Sequence, residues 1–245
     1  MCRHGSRAGK ERYGMFIWDS TYLLVIIGML LCMGASAMVN SAMNRYSKVR
    51  NARGMTGAEA ARQILNNEGL YNVQIECLPS DSGDHYDPRT NTVRLSAGNY
   101  NHASVTAVGV AAHECGHAIQ HAKGYVPINI RSALVPVVNI ASRLGMPLIF
   151  LGVILSWNQT LIQIGIWAFA TAVLFQLVTL PVEFNASARA VAKVEQYGLL
   201  TTEETRGCRK VLTAAAMTYV AATASAGLQL LRLVLLFGGN NRRRD

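Results

Sequence analysis

Charge is what this sequence lacks most: only 14 of its 245 residues are Asp or Glu, and 23 are Lys or Arg. Cysteine is sparse as well. Cys2, Cys32, Cys77, Cys115 and Cys208 form no CxxC pair and are odd in number. That pattern excludes a disulfide framework and favours a reducing side for the polar segments. Internal repeats and low-complexity tracts are missing, which removes solenoids and disordered arrays from consideration. No basic-aromatic module accompanies the net charge of +9, so nucleic acid is not an expected partner.

What is present is apolar residues in long blocks. Ser20 to Asn44 contains no Asp, Glu, Lys or Arg, about 25 residues and enough for one helical crossing of a bilayer. Leu144 to Val182 is a second such run, of about 39 residues, long enough for two crossings joined by a tight turn. Val211 to Leu231 is again about one bilayer long. The basic residues flank these runs: Arg45, Lys48, Arg50 and Arg53 follow the first, and Arg206, Arg209 and Lys210 precede the last. Clusters so placed set topology and meet anionic headgroups.

The expected fold is therefore mainly α: an integral membrane protein with about four transmembrane helices and a small α+β region. Its segments read as an N-terminal extension (1–15), a first span (16–44), a polar region (45–131), a second span (132–156), a third (161–180), a juxtamembrane stretch (181–210), a fourth span (211–237) and a basic tail (238–245). The second span carries Arg143 as its one charge, with Pro136 and Pro147 as candidate kinks. Trp157 to Thr160 is the turn into the third. Thr202 and Thr205 are capping candidates for the fourth. Ala35-Ser36-Ala37 imitates a signal-peptide cleavage site, but the uncharged stretch continues past it, as in an uncleaved anchor. Residues 1–14 read as lying upstream of a native start at Met15.

Within the polar region, Thr56 and Glu59 form a capping box before the helical pattern of Ala60, Ile64 and Leu65. "NVQIECLP" and "NTVRLS" alternate like strands around a turn-rich stretch, predicting a hairpin or pair of strands. A further helix is expected from near Ser104 to near Gly124. It contains His113-Glu114-Cys115-Gly116-His117. His113 and His117, four apart, present both imidazoles on one helical face, and Glu114 sits beside them where it can take a proton from water. Cys115 points away from that face and reads as a small buried residue. His121 lies one turn further along, about 6 Å beyond His117. Zinc–nitrogen bonds of about 2 Å do not allow three histidines stacked on one straight helix to share an ion, which leaves His121 to a solvated or supporting role.

A catalytic zinc site needs a third protein ligand and an open position. Glu183 directly follows the third span, in "LPVEFNASARA", and a helix continuing from Pro181 would present it toward the histidine helix. Pairing with Arg189 or Lys193 as an ordinary interfacial carboxylate is the alternative, and spacing does not choose between them.

The chain resembles the YugP-like neutral zinc metallopeptidases, a family of bacterial membrane enzymes. The resemblance rests on "STYLLVIIGMLL", "YSKVRNARGMTGAEAARQIL", "DHYDPRTNTVRLS", "AAHECGHAIQHAKGY", "RSALVPVVNIASRLG", "LPVEFNASARA" and "VLTAAAMTYVAA", and spans nearly everything from Phe16 to Leu236. The family looks distantly related to the HtpX-type and CAAX-prenyl peptidases, gluzincins in which a Glu on a later helix completes the site. The resemblance implies a zincin-like catalytic region with a single Zn2+ on His113, His117 and Glu183, and Glu114 as general base. Those relatives place an Asp four residues after the ligand Glu, where this chain has Ser187, so support of a ligand histidine from that position is open. Arg189, His121 and Tyr197 are candidates for stabilising the transition state. "NTVRLS" is a candidate edge for an extended peptide substrate.

The expected activity is zinc-dependent endoproteolysis of membrane or membrane-proximal proteins. A catalytically silent membrane scaffold and a hydrolase of non-peptide amides are the alternatives. The lipid bilayer is an expected partner. The resemblance implies the bacterial cytoplasmic membrane; the many Lys and Arg of 45–132 and 183–210, beside the spans, point to a site on its cytoplasmic side, and Arg242 to Arg244 point the other way.

Overall fold

Among the described residues of the computed structural model, four helices are long and apolar enough to cross a membrane. The structure describes residues 19–80 and 83–238. The expected N-terminal extension and nearly all of the basic tail, including Arg242 to Arg244, lie outside these residues.

The first long helix, α1 (Tyr22–Tyr46), buries little beyond Gly28 against the rest of the chain. α2 (Gly57–Asn67) starts at the expected box: the Glu59 amide donates to the Thr56 hydroxyl at 3.2 Å, and the Thr56 amide donates to the Glu59 carboxylate at 2.8 Å. Its buried face is Ala60, Ala61, Ile64 and Leu65. Three strands follow, β1 (Gln74–Leu78), β2 (His85–Asp87) and β3 (Thr92–Ser96), with a single turn of helix, α3 (Ala97–Asn101), and then α4 (Val105–Ala122), which carries the histidine motif. The Ser104 hydroxyl caps α4 by accepting from the Ala107 amide at 3.1 Å.

The sheet differs from a hairpin. β1 runs parallel to β3, and β2, formed inside the turn-rich stretch, pairs antiparallel with β3, giving the order β1-β3-β2. Arg94 on the central strand explains the arrangement, donating to Glu76 of β1 at 2.9 Å and to Asp87 of β2 at 2.8 Å. Asp84 pins the approach to β2 by accepting from the Ser96 amide at 2.7 Å and the Asn99 amide group at 2.9 Å. "NTVRLS" is thus paired on both sides, and the expectation of a free edge there is corrected: the edges are β1 and β2.

α5 (Val126–Ile154) begins six residues earlier than the expected span, and Pro136 and Pro147 lie inside it. The turn that follows has Ser156 and Trp157 at positive φ, and Asn158 caps α6 (Gln159–Gln196), so the connection is two residues earlier than expected. α6 passes through Pro181 unbroken, merging the third span and the Glu183 segment into one 38-residue helix. α7 (Thr202–Phe237) is capped by Thr201 with Glu204, a correction to Thr202 and Thr205; Thr205 is buried. In the membrane α6 packs between α5 and α7, and α1 packs on α7. α5 and α6 meet so closely that a Cβ on Gly165 would stand 2.6 Å from the Gly145 carbonyl oxygen. The main core joins α2, Val93 and Leu95 of β3, α4, the last turns of α6 and the first turns of α7.

Candidate metal centre

The histidine helix lies where two backbones nearly touch. A Cβ on Gly116 would stand 2.7 Å from the Ala186 carbonyl oxygen, so the glycine inside the motif lets α4 settle against α6. That contact brings Glu183 to the histidines. Its Oε2 is 3.3 Å from His113 Nε2 and 3.7 Å from His117 Nε2. One ligand atom from each of the three residues lies within 4.8 Å of the others. The two imidazole rings are nearly perpendicular, with centroids 4.8 Å apart.

The far side of each ring is engaged. Gln120, fully buried, donates its amide N–H groups to the Val182 carbonyl at 2.8 Å and to Asn185 Oδ1 at 3.0 Å. Its oxygen therefore faces His117 Nδ1 at 3.0 Å as an acceptor, which puts the proton on Nδ1 and leaves Nε2 with a free lone pair. Ser187 Oγ lies 3.1 Å from His113 Nδ1, so the serine makes the histidine contact that its spacing left open. Contacts so placed can fix the orientation of both rings, as the outer contacts of metal-ligating histidines do.

The donor set fits a metal. Glu183 is 2% exposed, and its Oε2, aimed at both Nε2 atoms, has no hydrogen-bond partner among the described residues. A buried carboxylate oxygen without a donor is costly unless a cation meets it. Two imidazole nitrogens and one carboxylate oxygen, with a cavity on the remaining side, match a catalytic zinc site. The Arg131 guanidinium, 3.5 Å from Oε1, engages the other oxygen.

A cavity of about 300 Å3 opens over the cluster, walled by Asp84, His85 and Tyr86 at the β2 edge, by His121, by Arg131 of α5 and by Tyr219 of α7. Glu114 lines it beside the histidines and is 7% exposed. His121 stands one turn away, its ring 5.5 Å from Tyr86, and is not part of the three-residue cluster. Burial, then the nearby His117 and Arg131, hold its pKa below the ordinary histidine value. Cys115 faces the core, where burial, with Glu114 nearby, pushes its thiol pKa up.

Two expected participants lie elsewhere. Arg189 donates to Asn185 at 2.7 Å and stacks over Tyr125, and Tyr197 donates its hydroxyl to Glu68; neither lines the cavity. Arg189 is six residues beyond Glu183, about 120° off its face of the helix. Tyr197 is near that face but 14 residues, about 21 Å, further along. Arg131 and Tyr219 take their place at the cavity, and neither was singled out from sequence. The quoted stretches containing them were the available signal, but only the packing of α5 and α7 on α6 shows where they face.

A His-His-Glu cluster on two helices, at the end of four apolar spans, defines a helical membrane protein with a candidate metal centre. Comparison with known proteins supplies the family. The model described as "Putative neutral zinc metallopeptidase" matches residues 21–238, and the chain belongs to that family. It is 46% identical over 214 residues to "Putative membrane protease YugP" of Bacillus subtilis (strain 168), covering 87% of this chain and 95% of that protein. No solved structure matches the chain.

Proposed function

We propose that the protein is a membrane-embedded zinc-dependent endopeptidase that hydrolyses peptide bonds of membrane or membrane-proximal proteins. A single Zn2+ is held by His113, His117 and Glu183 as a gluzincin site. The carrying observation is the unpartnered, buried Glu183 Oε2 aimed at two imidazole nitrogens whose opposite nitrogens are already engaged. Such an ion, when bound, supplies Lewis acidity and lowers the pKa of water.

The chain's own residues do the rest. Glu114, on the cavity wall, takes the proton of the attacking water and returns it to the leaving amine. Arg131, Tyr219 and His121 line the same cavity and are the donors available to the negative charge that develops on the scissile carbonyl. An extended peptide meets β2, the sheet edge that borders the cavity. In this reading 45–131 is the membrane-associated catalytic region and 181–210 carries the third ligand. The Lys and Arg clusters beside the spans support a site on the cytoplasmic face of the bacterial membrane.

The test is Glu114→Gln in detergent-purified protein, with casein and a membrane protein as substrates. Cleavage should disappear while zinc stays bound. A variant that still cleaves removes Glu114 from its role.

A further inference from the structure

Within the apolar spans, Arg143 is the charged side chain for which the described residues offer no partner. Arg143 is exposed on α5, between the exposed apolar residues Ile140 and Leu144, and has no hydrogen-bond or ion-pair partner among the described residues. It lies 12 residues below Arg131 and 11 above Ile154. At 1.5 Å per residue these are about 18 and 16 Å, near the centre of a hydrocarbon layer about 30 Å thick. Arginines at that depth almost always pair or face a protein interior. Arg232, on α7 near the far end of the bundle, does so: its guanidinium lies 4.5 Å from the Tyr22 ring centroid and donates to Thr21 at 3.2 Å.

Arg143 does not stand alone on its face. Ser132, Asn139 and Arg143 are spaced by seven and four residues and are all exposed, so they form one stripe about 40° wide. The face that packs on α6, through Gly145 and Ile149, points away from it. Ser132 also lines the cavity over the histidines. The stripe is therefore a polar track that begins at the candidate active site and ends on an unpaired arginine in mid-membrane.

We infer that this face of α5 docks a membrane helix of another protein that carries a carboxylate at mid-bilayer depth, and that the helix is a substrate whose surface end is thereby delivered to the cavity. Charge complementarity requires the acid, and continuity with Ser132 sets the register. A second copy of this chain cannot supply the acid, because Ser20–Asn44, 132–182 and 211–237 contain no Asp or Glu. That the docked helix is a substrate rests on the endopeptidase reading; the docking does not.

The full-length protein in nanodiscs, as Glu114→Gln, is mixed with a Lys-flanked Leu/Ala helical peptide bearing one central Asp and an adjacent photo-crosslinker. A central-Leu peptide is the control. The Asp peptide should crosslink about tenfold more than the Leu peptide. Arg143→Leu should erase that preference without changing zinc content, and Arg143→Glu should transfer it to a central-Lys peptide. Equal crosslinking of the two peptides, or a preference that survives Arg143→Leu, overturns the inference: the arginine then only snorkels or meets lipid. Loss of casein cleavage in Glu114→Gln is read separately, so failure of docking and failure of the peptidase reading are distinguishable.

Discussion

Replacing Gln120 by alanine should weaken zinc binding more than its distance from the ion suggests. The side chain is fully buried and makes three hydrogen bonds, to His117 Nδ1, the Val182 carbonyl and Asn185. It thus fixes the imidazole of one proposed ligand and the helix segment next to another. Truncation leaves the His117 N–H without a partner and takes a second donor from the Val182 carbonyl, which keeps its bond within α6. At about 1–3 kcal/mol for a buried group left unsatisfied, the fold should lose about 1–3 kcal/mol. Loss of the supporting bond alone should weaken zinc affinity about 10- to 100-fold. Ser187→Ala should fall at the low end of that range, because Ser187 holds His113 by a single contact. The assay is competition for zinc with a chromophoric chelator in detergent, with a melting curve on the same sample. A Gln120→Ala protein that is folded and binds zinc like the wild type refutes the reasoning.

Gly116→Val should separate α4 from α6, since even a Cβ at that position meets the Ala186 carbonyl at 2.7 Å; lost zinc and about 1–3 kcal/mol of stability, read by melting and metal analysis, are expected. Glu68 gives a pH signature. Burial alone would raise its pKa, but bonds from Lys193, Tyr197 and Lys123 hold it at about 2, below the ordinary 4.5. Its stabilising effect is therefore complete above about pH 4.5 and lost as pH falls toward 2. Glu68→Gln should flatten the acid limb of the melting profile there, and an unchanged limb counts against this network. Cys77 is the exposed cysteine of the polar region, and Cys115 and Cys208 are buried. A membrane-impermeant maleimide should leave Cys77 unlabelled in intact cells and label it after permeabilisation; labelling from outside reverses the proposed orientation. Chelation by phenanthroline should lower the melting temperature, by the equivalent of about 2.7 kcal/mol at zinc 100-fold above its Kd.

How much was legible in the sequence varied with the range of the interaction. The capping box at Thr56, the four apolar spans and the face shared by His113 and His117 depend on residues a few positions apart, and helical periodicity exposes them. The approach of Glu183 to the histidines is longer-range, yet it was readable as one of two options because the helix continues out of its span. Ser187 shares that face four residues on, which is why it reaches His113. Arg189 carries suitable chemistry but sits on another face of the same helix. The parallel pairing of β1 and β3 escaped because the turn signals between them concealed a third strand, held by Asp84 and by Arg94. Gln120 acquires its place only when α4 packs on α6, and Arg131 and Tyr219 theirs only when α5 and α7 close on α6; no local pattern encodes that packing.

The central claim is that His113, His117 and Glu183, from two different helices, hold one zinc ion while Glu114 acts without binding it. Zinc per chain by mass spectrometry, in wild type and in His113→Ala, His117→Ala, Glu183→Ala and Glu114→Gln, tests this most directly. One zinc per chain is expected in the wild type and in Glu114→Gln, with zinc lost from the other three. Full zinc in a folded Glu183→Ala protein, or none in the wild type, would contradict it.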